Sequence, residues 1–123
     1  MSHVQILREP THLFEWDHAK ERSNRRRHGI TFGMALGVFR DPNALMLHER
    51  VDFRGEDRWR TIGRAASQAV LLVAYVLRRE HPSEVIRIVS ARRASRCERQ
   101  PYERNAFTAQ RHRRQRLACP AAH

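Results

Sequence analysis

Lysine is almost missing from this chain, and so are the residue patterns by which common enzymes hold metals or nucleotides. Lys20 is the only lysine among 24 basic residues, so the other 23 are arginines. Two cysteines, Cys97 and Cys119, have no Cys-x-x-Cys or His-x-x-x-His pattern beside them and cannot form a zinc cluster alone; they read as reduced structural thiols. The eight histidines are scattered, with no pair at a ligand spacing next to a carboxylate. No Gly-x-Ser-x-Gly elbow, Walker loop or Gly-x-Gly-x-x-Gly turn is present, which sets aside the hydrolases and nucleotide-binding folds built on them. Long apolar runs are lacking too. The longest, 69–77, is about half the ~20 residues that cross a bilayer, and the opening MSHVQILREP has no apolar signal-peptide core. The expectation is a cytoplasmic protein that meets no membrane and uses no metal or cofactor.

Acidic residues are few: 13 against 24 basic ones leave a net charge of +11. Such a surface attracts polyanions, and the planar arginine fork grips phosphate through two bonds and stacks on bases, which favours a nucleic-acid partner. A GC-rich genome would enrich arginine as well, so charge by itself leaves the partner open. With 123 residues there is material for one domain, and 41% hydrophobic residues support a modest core. Residues 13–107 are read as that domain, 1–12 as a weakly patterned lead-in, and 108–123, with the basic run RHRRQR, as a flexible tail.

The patterning is that of an α+β chain. Leu13 to Trp16 reads as a short strand, after which Asp17 is a fitting N-cap and Gly29 a fitting C-terminal stop for a polar first helix over 18–28. Lys20, Asn24 and His28 recur every four residues, so they fall on one stripe of that helix. Thr31 can cap a second helix in which Phe32, Ala35, Leu36 and Phe39 share an apolar face, ending at Asp41-Pro42. Four strand-like stretches follow, 44–51, 58–63, 69–78 and 84–91, with short turn-forming separators that predict an antiparallel meander. The third is apolar on both faces, which places it centrally under helices. Residues 94–107 suit a C-terminal helix in which Pro101 would force a kink or restart.

Chemistry without a metal or activated nucleophile leaves tasks that arginine can assist. When an RNA 2′-hydroxyl attacks its own phosphate, a base and an acid move protons while cations hold the phosphorane charge. Period-two alternation over 84–92 predicts Arg87 with Val85, Val89 and Ala91 on one face, and Arg92 with Ile86, Ile88 and Ser90 on the other. Arg58 and Arg60 share a face with Ile62. Glu98 and Tyr102 stand four apart on the last helix, so one could be a base and the other a proton donor or stacking platform. Spacing alone favours the plainer reading, with Arg92 and Arg93 as solvated charges and Glu98 as a surface ion-pair partner, and the Lys20, Asn24, His28 stripe is more often a wet helix face than a site.

The segment 14–35, FEWDHAKERSNRRRHGITFGMA, resembles the opening of the BrnT toxins. The resemblance continues through Asp41-Pro42, Gly55-Glu56-Asp57-Arg58-Trp59, Thr61-Ile62-Gly63 and the segment 86–103, IRIVSARRASRCERQPYE. It implies a RelE-like fold, with two N-terminal helices packed on the antiparallel meander sheet and a C-terminal helix. It also implies a ribonuclease toxin that stops translation and growth by metal-independent RNA cleavage. A BrnA-type antitoxin would neutralise the toxin and carry the complex to operator DNA, with a toxin dimer inside a heterotetramer. On matching positions it implies Arg58, Arg92, Arg93, Glu98 and Tyr102 around the scissile phosphate, with Lys20, His28, Arg60 and Arg87 binding RNA. The alternative is a basic module that binds nucleic acid or an antitoxin without catalysis.

Overall fold

A computed structural model describes residues 4–8, 12–80 and 83–108. In chain order its elements are β1 (Val4–Arg8), β2 (His12–Asp17), α1 (His18–His28), α2 (Phe32–Ala35), a 3-10 turn (Leu36–Arg40), β3 (Leu45–Val51), β4 (Asp57–Arg64), β5 (Val70–Glu80), β6 (Ser83–Arg93) and α3 (Arg96–Thr108). Local chemistry sets most of the boundaries. The Asp17 carboxylate accepts from the backbone N–H of Ala19 at 2.7 Å, and Gly29 closes α1 with a φ of 72°. Thr31 Oγ1 accepts from Met34 N at 3.1 Å and opens α2. The helix then tightens at Leu36 into the 3-10 turn, so the single amphipathic helix expected here is two short pieces, and Val38 joins Phe32, Ala35 and Leu36 in the core.

All six strands form one sheet in the order β1-β2-β6-β5-β4-β3. The meander from β3 to β6 is antiparallel as expected, but β2 pairs with β6 in parallel, so the sheet is mixed. The physical reason is the crossover: α1, α2 and the 3-10 turn carry the chain from β2 at one side of the sheet to β3 at the opposite edge. Val4–Arg8, read as lead-in, is a strand paired antiparallel with β2. The last expected element forms as one helix through Pro101. Its cap at Ser95 and its anchor at Tyr102, described below, offset the donor that proline lacks.

The core is two-sided because β5 is. Leu71, Val73 and Tyr75 pack with Phe14, Trp16, Phe32, Val38, Ile86 and Ile88 beneath the N-terminal helical segment. Val70 and Leu72 face the other way and pack with Ile62, Ala94 and Tyr102 beneath α3. Polar α1 docks by hydrogen bonding instead. Asn24, its buried residue, donates to Ala91 O at 2.7 Å and Ile30 O at 3.0 Å and accepts from Ala91 N at 3.1 Å. The side-chain amide thereby completes the edge of β6 beyond Arg87, where pairing with β2 stops. Asn24 is thus no part of a wet face. Cys97 on α3 is not a free thiol, which corrects the expectation of a reduced cysteine at that position. Cys119 and the basic run at 111–116 lie outside the described residues.

Candidate nucleic-acid interface

Strand β6 does not keep its alternation. Tyr75 pairs with Ile88 but Ala74 with Ser90, so Val89 is an extra residue and the strand bulges there. Ile86, Ile88 and Ala91 consequently all enter the core under the N-terminal helices. The face predictions for 84–92 are corrected accordingly: beyond the bulge, Arg92 comes to the side that Arg87 occupies. Arg92 pairs with Leu72, Arg87 with Val76, and Val76 with Arg58, placing all three arginines on the face opposite the N-terminal helices. Arg58, Val76, Arg87 and Glu15 form one row across β4, β5, β6 and β2, with Arg58 and Arg87 about 10 Å apart at their Cα atoms given two strand spacings. The next row is Arg60, Ala74 and Ser90.

Carboxylates brace this row. Asp52 accepts from Arg58 Nε at 2.9 Å, and Glu15 accepts from Arg78 at 3.0 Å and Arg87 at 2.9 Å. Burial alone would raise the Glu15 pKa, but the Arg87 and Arg78 hydrogen bonds outweigh it and hold the group below the usual value. For Asp52 the backbone N–H of Glu56 is the main cause of a lowered pKa, with Arg58 adding to it against burial. A cavity of about 290 Å³ lies over the row, lined by Lys20, Arg54, Glu56, Arg58, Val76, Arg78, Arg87 and Val89. Five cations thus line it, three of them paired with Asp52 or Glu15, against the Glu56 carboxylate. A second cavity of about 240 Å³ shares Lys20 and Val89 and adds Ser23, Arg27 and Ser90. Arg60 Nε is buried without a partner among the described residues. By contrast, a cavity of about 380 Å³ near the 3-10 turn has a largely apolar lining that includes Phe14, Leu36, Phe39 and Ile86.

The five residues expected around a scissile phosphate do not share one place. Arg92 forks onto Glu98 through bonds of 2.8 and 2.9 Å. Glu98 also accepts from Ser95 N at 2.8 Å while Ser95 Oγ accepts from Glu98 N at 3.2 Å, a capping box at the start of α3. The Arg92 hydrogen bond is the largest cause holding the Glu98 carboxyl at a pKa of about 2. Tyr102 is buried in the core beneath α3, its hydroxyl donating to Asp41 Oδ2 at 2.6 Å, and burial followed by that carboxylate raises its pKa. Arg93 pairs with Leu71 and stands exposed on the opposite face from Arg92. Arg58 stands in the cleft with Lys20 and Arg87, whereas His28 is exposed at the end of α1.

Sequence reasoning missed Arg54, Arg78, Glu15 and Asp52. Glu15 was within reach, since alternation in β2 sends it to the face opposite Phe14 and Trp16. Asp52 had the weaker signal of an Asx turn before Gly55. No group of three or more potential metal-ligating side chains occurs among the described residues, and no helix there is long and apolar enough to cross a membrane.

Comparison with known proteins gives two findings. Residues 16–98 match the family model of the ribonuclease toxin BrnT of type II toxin-antitoxin systems. Among solved structures, the crystal structure of the Brucella abortus ribonuclease toxin BrnT is 23% identical and aligns over 66% of this chain and 94% of its own, with a TM-score of 0.49. No curated protein matches.

Proposed function

The chain belongs to the BrnT family, the ribonuclease toxins of type II toxin-antitoxin systems, and from that premise we propose that it cleaves RNA bound across the part of its sheet face that α3 leaves uncovered. The observation that carries this is the row of Arg58 and Arg87 on one face, each held by a carboxylate and joined in the cleft by Lys20, Arg54 and Arg78. Arginine forks fixed in position hold phosphate oxygens and meet the charge that develops on the phosphorane without reorganising. Lys20 has no ion pair among the described residues and is placed to neutralise the phosphorane or protonate the leaving 5′-oxygen. Arg60 and Ser90 extend the phosphate path toward Arg92. Glu98 holds Arg92 in place and caps α3, while Tyr102 anchors α3 from below.

On this reading the cleavage is metal-independent, takes place in the cytoplasm, and stops translation and growth. A BrnA-type antitoxin covers the toxin, in a heterotetramer containing a toxin dimer that reaches operator DNA through the antitoxin. The fold is taken as a variant of the RelE-like architecture, with the N-terminal helical segment on one sheet face and α3 on the other. The test is to incubate the purified chain with RNA in the presence of a chelator. Cleavage is expected, slower by tenfold or more (~10-fold per lost charge-assisted contact) in Arg58→Ala and Arg87→Ala. RNA that stays intact with the wild-type chain, together with normal growth on induction, contradicts it.

A second reading is a module that binds RNA without cutting it. What favours it is that the two acid-base candidates are committed elsewhere, Glu98 to Arg92 and Tyr102 to Asp41. It predicts salt-sensitive RNA binding with no product formed.

A further inference from the structure

The turn between β3 and β4 carries a phenylalanine where solvent would ordinarily select a polar residue. Phe53 is 91% exposed. The turn that presents it is built, not loose. Asp52 N donates to Glu56 O and Gly55 N donates to Asp52 O, both at 2.9 Å, with Gly55 at a φ of 83°. The Asp52 carboxylate then accepts from Arg54 N at 2.9 Å and Glu56 N at 3.0 Å. Its other oxygen takes Arg58 Nε, so one side chain ties the turn to the phosphate row. The Arg54 guanidinium lies 5.2 Å from the centre of the Phe53 ring, and Arg54 itself lines the cation cleft. The aromatic ring therefore stands at the rim of the cleft, on a braced support, with a cation beside it.

Resting on the reading of the cleft as the RNA site, we propose that Phe53 is a base-stacking platform that makes single-stranded RNA the substrate class. A strand whose phosphates follow Arg54, Arg58 and Arg87 has unpaired bases to lay on a ring at the rim, and Arg54 extends the stack by its own plane. A duplex keeps its bases stacked inside and has none to offer. Charge favours RNA over a protein as occupant: five cations line the cleft against three carboxylates, Glu56, Glu15 and Asp52, and of the five Lys20 and Arg54 carry no ion pair among the described residues, which suits a polyanion.

The experiment measures binding of the full chain to short single-stranded and duplex 2′-O-methyl RNA, which cannot be cleaved through its 2′-oxygen, by fluorescence anisotropy. Phe53→Ala is expected to weaken single-strand binding by about 5- to 150-fold, the range of one base-aromatic stack, and to leave duplex binding in place. Phe53→Leu should behave like Phe53→Ala, and Phe53→Trp should retain wild-type affinity. The salt slope of Phe53→Ala should equal that of the wild type, since stacking releases no counterions. Because Phe53 is exposed, unchanged thermal melting is expected and checks the fold. Unchanged single-strand affinity in Phe53→Ala overturns the proposal; equal losses on single strand and duplex overturn it as well. If Arg58→Ala and Arg87→Ala also bind like the wild type, the cleft reading falls first. If those two weaken and Phe53 variants do not, the platform alone is wrong.

Discussion

Replacing Glu98 by glutamine separates an acid-base role for this residue from the brace that its surroundings indicate. In the folded chain its pKa stands at about 2 instead of its ordinary 4.5, first because of the Arg92 fork and then the Ser95 N–H, against burial. Each pH unit of lowering corresponds to about 1.4 kcal/mol, so the charged form carries roughly 3 kcal/mol of folding stability, and solvent at the partly exposed pair reduces that to about 1.5–3 kcal/mol. Since the folded-state pKa is the lower one, this stability is fully present above pH 4.5 and is lost as pH falls through about 2. Glutamine keeps an acceptor for Ser95 N but no charge for Arg92. Urea melts of both proteins at neutral pH should therefore differ by about 1.5–3 kcal/mol, and the gap should close near pH 2; acids common to both cancel in the difference. Equal stabilities at neutral pH, or a gap unchanged near pH 2, would refute the reasoning. A base with so low a pKa is also poorly matched to neutral proton transfer, so the variant's cleavage should fall with the loss of Arg92 positioning and keep the wild-type acidic limb on a pH profile.

Other expectations follow from the same contacts. Asn24→Ala leaves Ala91 N–H, Ala91 C=O and Ile30 C=O without their partner and should cost about 2–4 kcal/mol in a denaturant melt; a loss within experimental scatter would show that water replaces the amide. Tyr102→Phe removes the 2.6 Å bond to Asp41 and should cost about 1–2 kcal/mol while RNA cleavage persists in folded protein. Abolished cleavage at wild-type stability would restore Tyr102 as a proton donor. Arg92→Ala should weaken RNA binding and Arg93→Ala should not, because the sheet lies between them; anisotropy with both variants decides it.

Features that depend on neighbours in sequence were the legible ones. Asp17, Gly29 and Thr31 marked helix ends correctly because capping is a short-range hydrogen bond, and the two-sided apolar run over 69–77 located the central strand. Features that depend on a partner strand were hidden. Nothing in IRIVSARR announces that Val89 is the bulged residue, yet the bulge decides that Arg87 and Arg92 share a face. Asn24 looked like one more polar residue on a wet helix, since its reason for burial is the unpaired edge of β6, distant in sequence. Glu98 and Tyr102 were correctly four apart on a helix, but α3 lies across the sheet, so Tyr102 enters the core while Glu98 turns back to Ser95 and Arg92. The Ser95-x-x-Glu98 capping box was readable from the start and pointed to structure before catalysis.

The salt dependence of RNA affinity tests most directly whether the sheet face left uncovered by α3 holds the phosphates. Each phosphate contact on a single strand contributes about 0.7 to the slope of log K against log salt. Arg58 and Arg87 can be removed together with little strain, because Asp52 keeps its backbone donors and Glu15 keeps Arg78. The double variant Arg58→Ala/Arg87→Ala should bind single-stranded RNA more weakly, with a slope shallower by about 1.4. The same affinity and the same slope as the wild type would place the RNA elsewhere on the molecule and contradict the account.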